Sequence, residues 1–235
     1  VERGFAGFTI HYQPQVDTVS GRLCGAEALA RWHCTKYGDV SSGEFIPLME
    51  QSGLIIPFGQ WILSRGMAQC LEWCRLRPDF QISVNLSYIQ LAQGDFISFL
   101  RTALGEHSLA PSKIILELTE TYLAKAEEDT LRMIAQMKGL GVKIAMDDFG
   151  VGYSSLFSLK SIPVDVVKID RGFVKGITSD LFNATFIRSI TDLCHDVGRK
   201  VCLEGVETEE EYEAVRELGM EYIQGYYFGR PMSAR

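Results

Sequence analysis

The stretch Val142-Lys143-Ile144-Ala145-Met146-Asp147-Asp148 is a short apolar run that ends on two adjacent carboxylates. Three further runs end on acidic residues in the same way: Ile114-Ile115-Leu116-Glu117, Val166-Val167-Lys168-Ile169-Asp170 and Lys200-Val201-Cys202-Leu203-Glu204. Runs rich in valine and isoleucine are typical of buried strands. The carboxyl ends of the strands of a parallel barrel surround one common mouth, so this pattern predicts a site for hard cations there.

Strands and helices alternate along the whole chain. The first two predicted strands, residues 8–16 and 23–32, are joined by a turn over residues 17–21, which is typical of an antiparallel hairpin. Later strands are predicted at residues 81–85, 114–117, 142–147, 166–169, 200–203 and 221–224. Helices are predicted at residues 44–51, 58–74, 96–104, 127–140, 154–159, 182–197 and 209–218. About eight strands in 235 residues favour one α/β domain, a TIM-type (β/α)8 barrel modified by an antiparallel first strand.

Composition limits the possible functions. The chain has 30 acidic and 23 basic residues, a formal net charge of −7, which argues against binding of nucleic-acid polymers through neutralised phosphates. A phosphate substrate would therefore need metal ions to supply positive charge. The six cysteines are scattered and no apolar stretch approaches the ~20 residues that span a bilayer, so we expect a reduced, cytoplasmic setting. We also expect the chain to be a single domain excised from a longer multidomain protein.

Most polar residues at the predicted strand ends have two interpretations. Glu27 lies among small apolar residues, where a cation ligand and a salt bridge to a lysine are about equally favoured. Asn85 alone is compatible with a turn, and Glu117 and Glu120 are each compatible with a helix cap. Gln224 suits a hydrogen bond to a base edge or to a loop backbone.

The adjacent pair Asp147 and Asp148 favours a metal more strongly, because neighbouring carboxylates repel each other unless a cation lies beside them. One shared carboxylate can bridge two divalent ions about 3.5–4 Å apart, which activate a water and stabilise a leaving oxygen. Lys168 interrupts the apolar run 166–169 and is expected to point into the barrel. Glu204 ends a strand, whereas the stretch that starts at Glu207 also suits the acidic first turn of a helix.

Taken in order, the motifs resemble those of the EAL-type cyclic di-GMP phosphodiesterases over essentially the whole chain. The tripeptide that names the family, Glu27-Ala28-Leu29, is followed by Arg31-Trp32. The other matching motifs are Tyr12-Gln13-Pro14, Phe45-Ile46-Pro47-Leu48, Val84-Asn85-Leu86-Ser87, Glu117-Leu118-Thr119-Glu120, Asp147-Asp148-Phe149-Gly150, Lys168-Ile169-Asp170, Glu204-Gly205-Val206-Glu207 and Gln224-Gly225-Tyr226. One tripeptide is a weak signal, but nine ordered motifs are specific.

The resemblance implies a modified barrel that cleaves one phosphodiester bond of cyclic di-GMP to give linear pGpG, with two magnesium or manganese ions. On the matching positions, the metal ligands would be Glu27, Asn85, Glu117, Asp147 and Asp148. Lys168 would orient the attacking water, and Glu204 would act as general base or organise the second metal, so the residues implied as catalytic are Lys168, Glu204 and the ligand Glu27.

The resemblance also implies a nucleotide site and partners. The residues that would line the nucleotide site are Gln13, Leu29, Arg31 and Gln224. Glu120 would anchor the loop of residues 150–155, and Glu207 is implied as a further loop anchor. The family further suggests a homodimer formed near the helices after residues 150–155. An adjoining sensory or GGDEF domain is expected in the full-length protein, in bacterial second-messenger signalling and biofilm control.

One position departs from the family pattern. Val151 lies where the family usually has threonine or another small residue, which removes a hydroxyl from the loop but no metal ligand. We therefore expect an active enzyme. The alternatives are a non-catalytic receptor that binds cyclic di-GMP and signals by changing shape, and an unrelated metal-dependent barrel enzyme that abstracts a proton beside a carboxylate.

Overall fold

A closed barrel of mixed strands forms the centre of the protein. The computed structural model describes residues 5–92, 95–152 and 155–234. Its strands are β1 Phe8–Asp17, β2 Leu23–Cys34, β3 Gly38–Val40, β4 Gln81–Asn85, β5 Ile114–Thr119, β6 Lys143–Phe149, β7 Val166–Ile169, β8 Lys200–Glu204 and β9 Tyr222–Gln224. They follow the order β1-β9-β8-β7-β6-β5-β4-β2-β3, and β1 also pairs with β2, so eight strands close into a ring and β3 extends β2 outside it.

The direction of β1 is the departure from a regular barrel. This strand runs antiparallel to both of its neighbours, β2 and β9. The remaining pairs around the ring, from β2–β4 to β8–β9, are parallel. The predicted fold class, a modified (β/α)8 barrel with an antiparallel first strand, is therefore confirmed.

Helices surround the barrel. They are α1 Ser42–Ser52, α2 Ile55–Leu76, α3 Tyr88–Ala92, α4 Phe96–His107, α5 Glu120–Leu123, α6 Glu128–Gly139, α7 Ser155–Ser161, α8 Leu181–Asp196 and α9 Glu209–Val215. Both α1 and α9 begin with a capping box, Ser41 with Glu44 and Thr208 with Glu211. No helix among the described residues is long and apolar enough to cross a membrane.

Alternation along the strands divides the apolar residues into two sets. Ile114, Leu116 and Ile144 belong to a large core cluster that also contains the buried faces of the helices. Ile115 and Ala145, on the opposite strand faces, belong to a separate small cluster in the barrel interior, together with Val166 and Cys202. Because successive side chains of a strand point to opposite faces, the inward set continues toward the carboxyl ends as the polar residues of the site.

The barrel interior toward the amino ends of the parallel strands is only partly filled. A cavity of about 240 Å³ lies there, lined by small side chains such as Ser83, Ala145 and Cys202. Lys168 and Glu117 border the same cavity. Barrels of this type are usually filled with bulky branched residues, and here Ile115 and Val166 line the cavity together with the small side chains.

The structure adds elements that the periodicity did not predict. Strand β3 has three residues, and α3 and α5 are single turns of helix, so each is too short to produce a recognisable repeat. The predicted helix at 58–74 begins earlier, at Ile55, and ends later, at Leu76. The predicted start of a helix at Ser154 lies outside the described residues.

Candidate metal and nucleotide site

The ammonium of Lys168 lies among carboxylates from four different strands. Its Nζ is 2.7 Å from Glu204 Oε1 and 2.8 Å from Glu117 Oε2. Asp147 Oδ1 lies at 3.2 Å and Glu27 Oε2 at 3.4 Å. The lysine side chain is only 2% exposed. Strands β2, β5, β6, β7 and β8 thus bring together residues that are up to 177 positions apart, at the carboxyl ends predicted to form the mouth.

Amide side chains hold Glu27 from the other side. Asn85 Nδ2 donates to Glu27 Oε1 at 2.7 Å, and Gln224 Nε2 donates to Glu27 Oε2 at 2.6 Å. Gln224 Nε2 also donates to Gln13 Oε1 at 3.1 Å, and Gln15 Nε2 donates to Gln224 Oε1 at 2.9 Å. The Asn85 amide donates through nitrogen, so its oxygen is left as a potential cation ligand.

Strand β6 bends where its two aspartates lie. Its pairing with β7 shifts register between Met146 and Phe149, and Asp148 has a positive φ of 56°. In a regular strand, consecutive side chains point to opposite faces. This irregularity instead lets Asp147 point toward Lys168 while Asp148 lies beside it at the mouth of the barrel. Oxygens of Asp147, Asp148 and Glu204 lie within 4.8 Å of one another, a spacing at which they could share a metal ion.

Glu27, Glu117, Asp147, Asp148 and Glu204 form a ring of carboxylates, called the carboxylate ring below, whose electrostatics favour added positive charge. Burial, with the nearby charge of Glu27, raises the pKa of Glu117 well above its ordinary value. Burial likewise raises the pKa of Glu204 to about 8, and burial together with Asp147 raises the pKa of Asp148. Burial also acts to raise the pKa of Glu27, but Lys168 and the two amides outweigh it and hold that pKa below its usual value. A cation bound beside these carboxyls would stabilise their ionised forms and so lower the raised pKa values.

The side chains present fit divalent cations. Glu117 Oε1 is buried and has no hydrogen-bond partner among the described residues, which is costly unless a ligand completes it. The oxygen donors of the ring match the preference of Mg²⁺ and Mn²⁺. When ionised, the five carboxylates and one lysine leave four negative charges, the charge that two divalent cations would neutralise. The carboxylates counted are Glu27, Glu117, Asp147, Asp148 and Glu204.

Glu120 connects the site to the segment after β6. It is 1% exposed, and its Oε2 accepts hydrogen bonds from the backbone N–H groups of Gly150 at 3.0 Å and Gly152 at 3.1 Å. Gly150 has a φ of +102°, and a Cβ there would lie 2.4 Å from the ring of Phe173. Of the predicted loop, residues 153 and 154 lie outside the described residues. Glu120 thus contacts the segment that the resemblance implies it anchors, and the anchoring role itself stays a prediction.

A groove opens directly from the ring. It has a volume of about 520 Å³, and Asn85, Glu117 and Asp148 form its inner wall. Leu29 and Arg31 line it farther out. Arg31 Nη1 donates to the carbonyl of Ala30 at 2.9 Å. The groove therefore combines the predicted metal ligands with two of the residues predicted to line a nucleotide site.

Other predicted residues lie differently, and some were missed. Glu207 is exposed, and its backbone N–H donates to Glu211 Oε2 at 2.7 Å, so this segment forms the acidic start of α9. Its loop-anchoring role stays a prediction. Gln15 was missed, although it lies two residues after Gln13 on the same strand face. Glu50 was also missed: it lines the groove and accepts a hydrogen bond from Ser87 Oγ at 2.6 Å.

Comparison with known proteins places this arrangement in a family. Residues 3–231 match the sequence model of the EAL domain. The chain belongs to the EAL domain family. This EAL domain is 40% identical, over 226 residues, to the bifunctional diguanylate cyclase/cyclic di-GMP phosphodiesterase MucR of Pseudomonas aeruginosa. It is 35% identical, over 225 residues, to the cyclic di-GMP phosphodiesterase PdeR of Escherichia coli.

The alignments cover nearly all of this EAL domain but only part of each relative. They include 96% of this chain in both cases, and 33% of MucR and 34% of PdeR. The chain thus spans about a third of the length of these curated relatives. A solved structure of the PaMucR phosphodiesterase in complex with c-di-GMP superposes with a TM-score of 0.91 at 40% identity, covering 99% of this chain and 94% of that one.

Proposed function

We propose that this EAL domain hydrolyses cyclic di-GMP to linear pGpG with the help of two divalent cations, Mg²⁺ or Mn²⁺. The observation that carries the proposal is the buried ring of carboxylates around Lys168, which opens into a groove of about 520 Å³. Two relatives that match almost the whole chain are named cyclic di-GMP phosphodiesterases, and the MucR structure contains c-di-GMP. Together these support one substrate and one reaction class.

The cations would be held by the five acidic residues of the ring and by the Asn85 oxygen. Bound there, they would supply Lewis-acid stabilisation of the phosphate and lower the pKa of an attacking water. The hydrolysis forms a bond between the water oxygen and phosphorus and breaks the bond from phosphorus to the 3′ oxygen. The leaving 3′ oxygen gains a proton, and the product keeps a 5′ phosphate.

The domain's own residues would orient these groups. The Lys168 ammonium donates hydrogen bonds inside the carboxylate ring and would orient the attacking water by donating to the lone pair of the water oxygen. Glu204 is the most exposed of the four acidic partners of Lys168 and would accept the proton of that water. Arg31 can bind phosphate oxygens through two N–H groups. It lines the groove, so rotation of its side chain away from the Ala30 carbonyl would bring the guanidinium to a phosphate bound there. Gln13 and Gln224 would contact the nucleotide beside the ring.

A turnover assay with product identification tests the proposal. The wild-type domain, incubated with cyclic di-GMP and Mn²⁺, should release pGpG, and EDTA should stop the reaction. Glu27→Ala should lose at least about a hundredfold in rate, the size of effect seen when one electrostatic stabiliser is removed. Equal rates for wild type and Glu27→Ala would refute the assignment. Cyclic di-GMP bound without product would instead identify a receptor domain.

We also propose that the domain works as a homodimer within a longer multidomain protein. Exposed apolar side chains support an interface near α7, where Val151 is 65% exposed and Leu156 is 59% exposed. MucR and PdeR are about three times as long as the matched region, which supports adjoining domains. Sedimentation of wild type and Leu156→Asp tests the dimer: wild type should sediment as a dimer and the variant as a monomer, and two identical profiles would contradict this surface.

A further inference from the structure

The ammonium of Lys168 lies among the carboxylates that would hold the divalent cations of the proposed function. Four carboxylates approach its Nζ within 3.4 Å, the nearest being Glu204 at 2.7 Å and Glu117 at 2.8 Å. The lysine comes from β7, and its partners come from strands on both sides of it. Its side chain is 2% exposed, so water contributes little to the stabilisation of its charge.

Lys168 Nζ donates hydrogen bonds to Glu117 and Glu27, but hydrogen bonding alone does not account for all four carboxylates around it. An ammonium has three donors, whereas four carboxylates surround it, so not all of them can accept a linear hydrogen bond. Asp147 Oδ1 illustrates this, because it lies 3.2 Å from Nζ but has no hydrogen-bond partner of good geometry among the described residues. Without a positive charge at this point, the buried carboxylates would repel one another.

We propose that Lys168 is a built-in counter-cation of the metal-free site, which keeps the carboxylate ring assembled and competes with the divalent cations that the ring binds. The inference rests on the metal site of the proposed function, but not on hydrolysis. Divalent cations such as Mg²⁺ draw carboxylate oxygens to about 2.1 Å, closer than the ammonium does. Their entry therefore takes oxygens from Lys168 and places like charges near each other.

This role predicts an effect of opposite sign from that of an ordinary positioning residue. A lysine that only orients the ligands would, when removed, leave a disordered site that binds metal more weakly. A counter-cation would, when removed, leave a ring of higher negative charge that binds metal more tightly. Two charges a few ångströms apart interact strongly even at an effective dielectric constant near 20, so a change of about tenfold in affinity is a conservative expectation.

The test is a titration with Mn²⁺ alone, without any nucleotide, on EDTA-treated protein. Lys168→Met removes the charge and leaves an unbranched side chain that is one atom shorter. We expect the variant to have a lower melting temperature than wild type without metal, a larger upward shift on addition of Mn²⁺, and about tenfold tighter Mn²⁺ binding. Weaker binding, or an equal loss of melting temperature with and without Mn²⁺, would overturn the proposal.

Two controls keep the result interpretable. Lys143→Met makes the same change on β6, at a half-buried lysine near the opposite end of the barrel, and should leave Mn²⁺ affinity unchanged. If metal-free Lys168→Met is unfolded, saturating Mn²⁺ should restore the circular dichroism spectrum of the folded protein. Failure to fold with Mn²⁺ would also overturn the proposal, because the cation could then not replace the ammonium. Loss of cyclic di-GMP turnover would leave these readouts unaffected.

Discussion

Replacing Glu120 by glutamine should loosen the segment after β6 without unfolding the barrel. Glu120 Oε2 accepts the N–H groups of Gly150 at 3.0 Å and Gly152 at 3.1 Å. A hydrogen bond to a charged acceptor contributes about 1.5–3 kcal/mol and a neutral one about 0.5–1.5, so loss of the charge weakens each bond by about 1 kcal/mol. The two bonds together give about 2 kcal/mol, or roughly a 30-fold change in the local opening equilibrium.

Amide hydrogen exchange measures this opening directly. In Glu120→Gln, the amides of Gly150 and Gly152 should exchange roughly 30-fold faster, while amides in the barrel strands keep their protection. Glu106→Gln provides a matched control: Glu106 is an exposed glutamate on α4, so this substitution should leave the exchange rates of Gly150 and Gly152 unchanged. Exchange at the wild-type rate would refute the anchoring, and a uniform acceleration through the barrel would show that Glu120 stabilises the whole fold instead.

Three further predictions concern the strain, charge and packing of the site. Asp148 has a φ of 56°, so Asp148→Ala should destabilise the metal-free protein by about 1 kcal/mol more than Asp148→Asn in urea unfolding; equal values would exclude strain. Burial raises the pKa of Glu204 to about 8 from its usual 4.5, so the folded state binds the proton more tightly than the unfolded state. Metal-free stability should therefore fall as the pH rises from about 4.5 to 8, and thermal unfolding of Glu204→Gln should show a smaller fall; an unchanged slope would contradict this. A Cβ at Gly225 would lie 1.9 Å from Val206 O, so Gly225→Ala should lower the free energy of unfolding in urea by about 3 kcal/mol or more. Gly105 has open space around it, so Gly105→Ala should raise the free energy of unfolding by about 0.5–1 kcal/mol. Similar effects of the two substitutions would refute the clash at Gly225.

The barrel was predictable because its strands carry strong local signals. Runs such as residues 114–117 and 166–169 are apolar, short and rich in isoleucine and valine, and the hairpin before residue 32 has a clear turn. The strand β3 and the single-turn helices α3 and α5 were not predictable, because three to five residues cannot show a period. Their positions depend on tertiary contacts.

The residues of the candidate site could be proposed from the sequence, but their geometry could not. Strand-end carboxylates marked Glu117 and Asp147, whereas Glu27 had two interpretations until its contacts with Lys168 and Gln224 were seen. The two interpretations of Glu27, a salt bridge and a cation ligand, are compatible, because Glu27 pairs with Lys168 inside a potential metal site. The positive φ of Asp148 and the distance from Glu117 Oε2 to Lys168 Nζ depend on chain segments distant in sequence, so no local pattern encodes them.

Product analysis in H₂¹⁸O shows whether the carboxylate ring and Lys168 cleave a cyclic dinucleotide with water, as proposed. Cyclic di-GMP incubated with the domain and Mn²⁺ should yield one linear dinucleotide that carries ¹⁸O in its terminal phosphate, and Glu117→Gln should yield little of it. Recovery of intact cyclic di-GMP from a saturated, Mn²⁺-loaded domain would contradict the proposed hydrolysis.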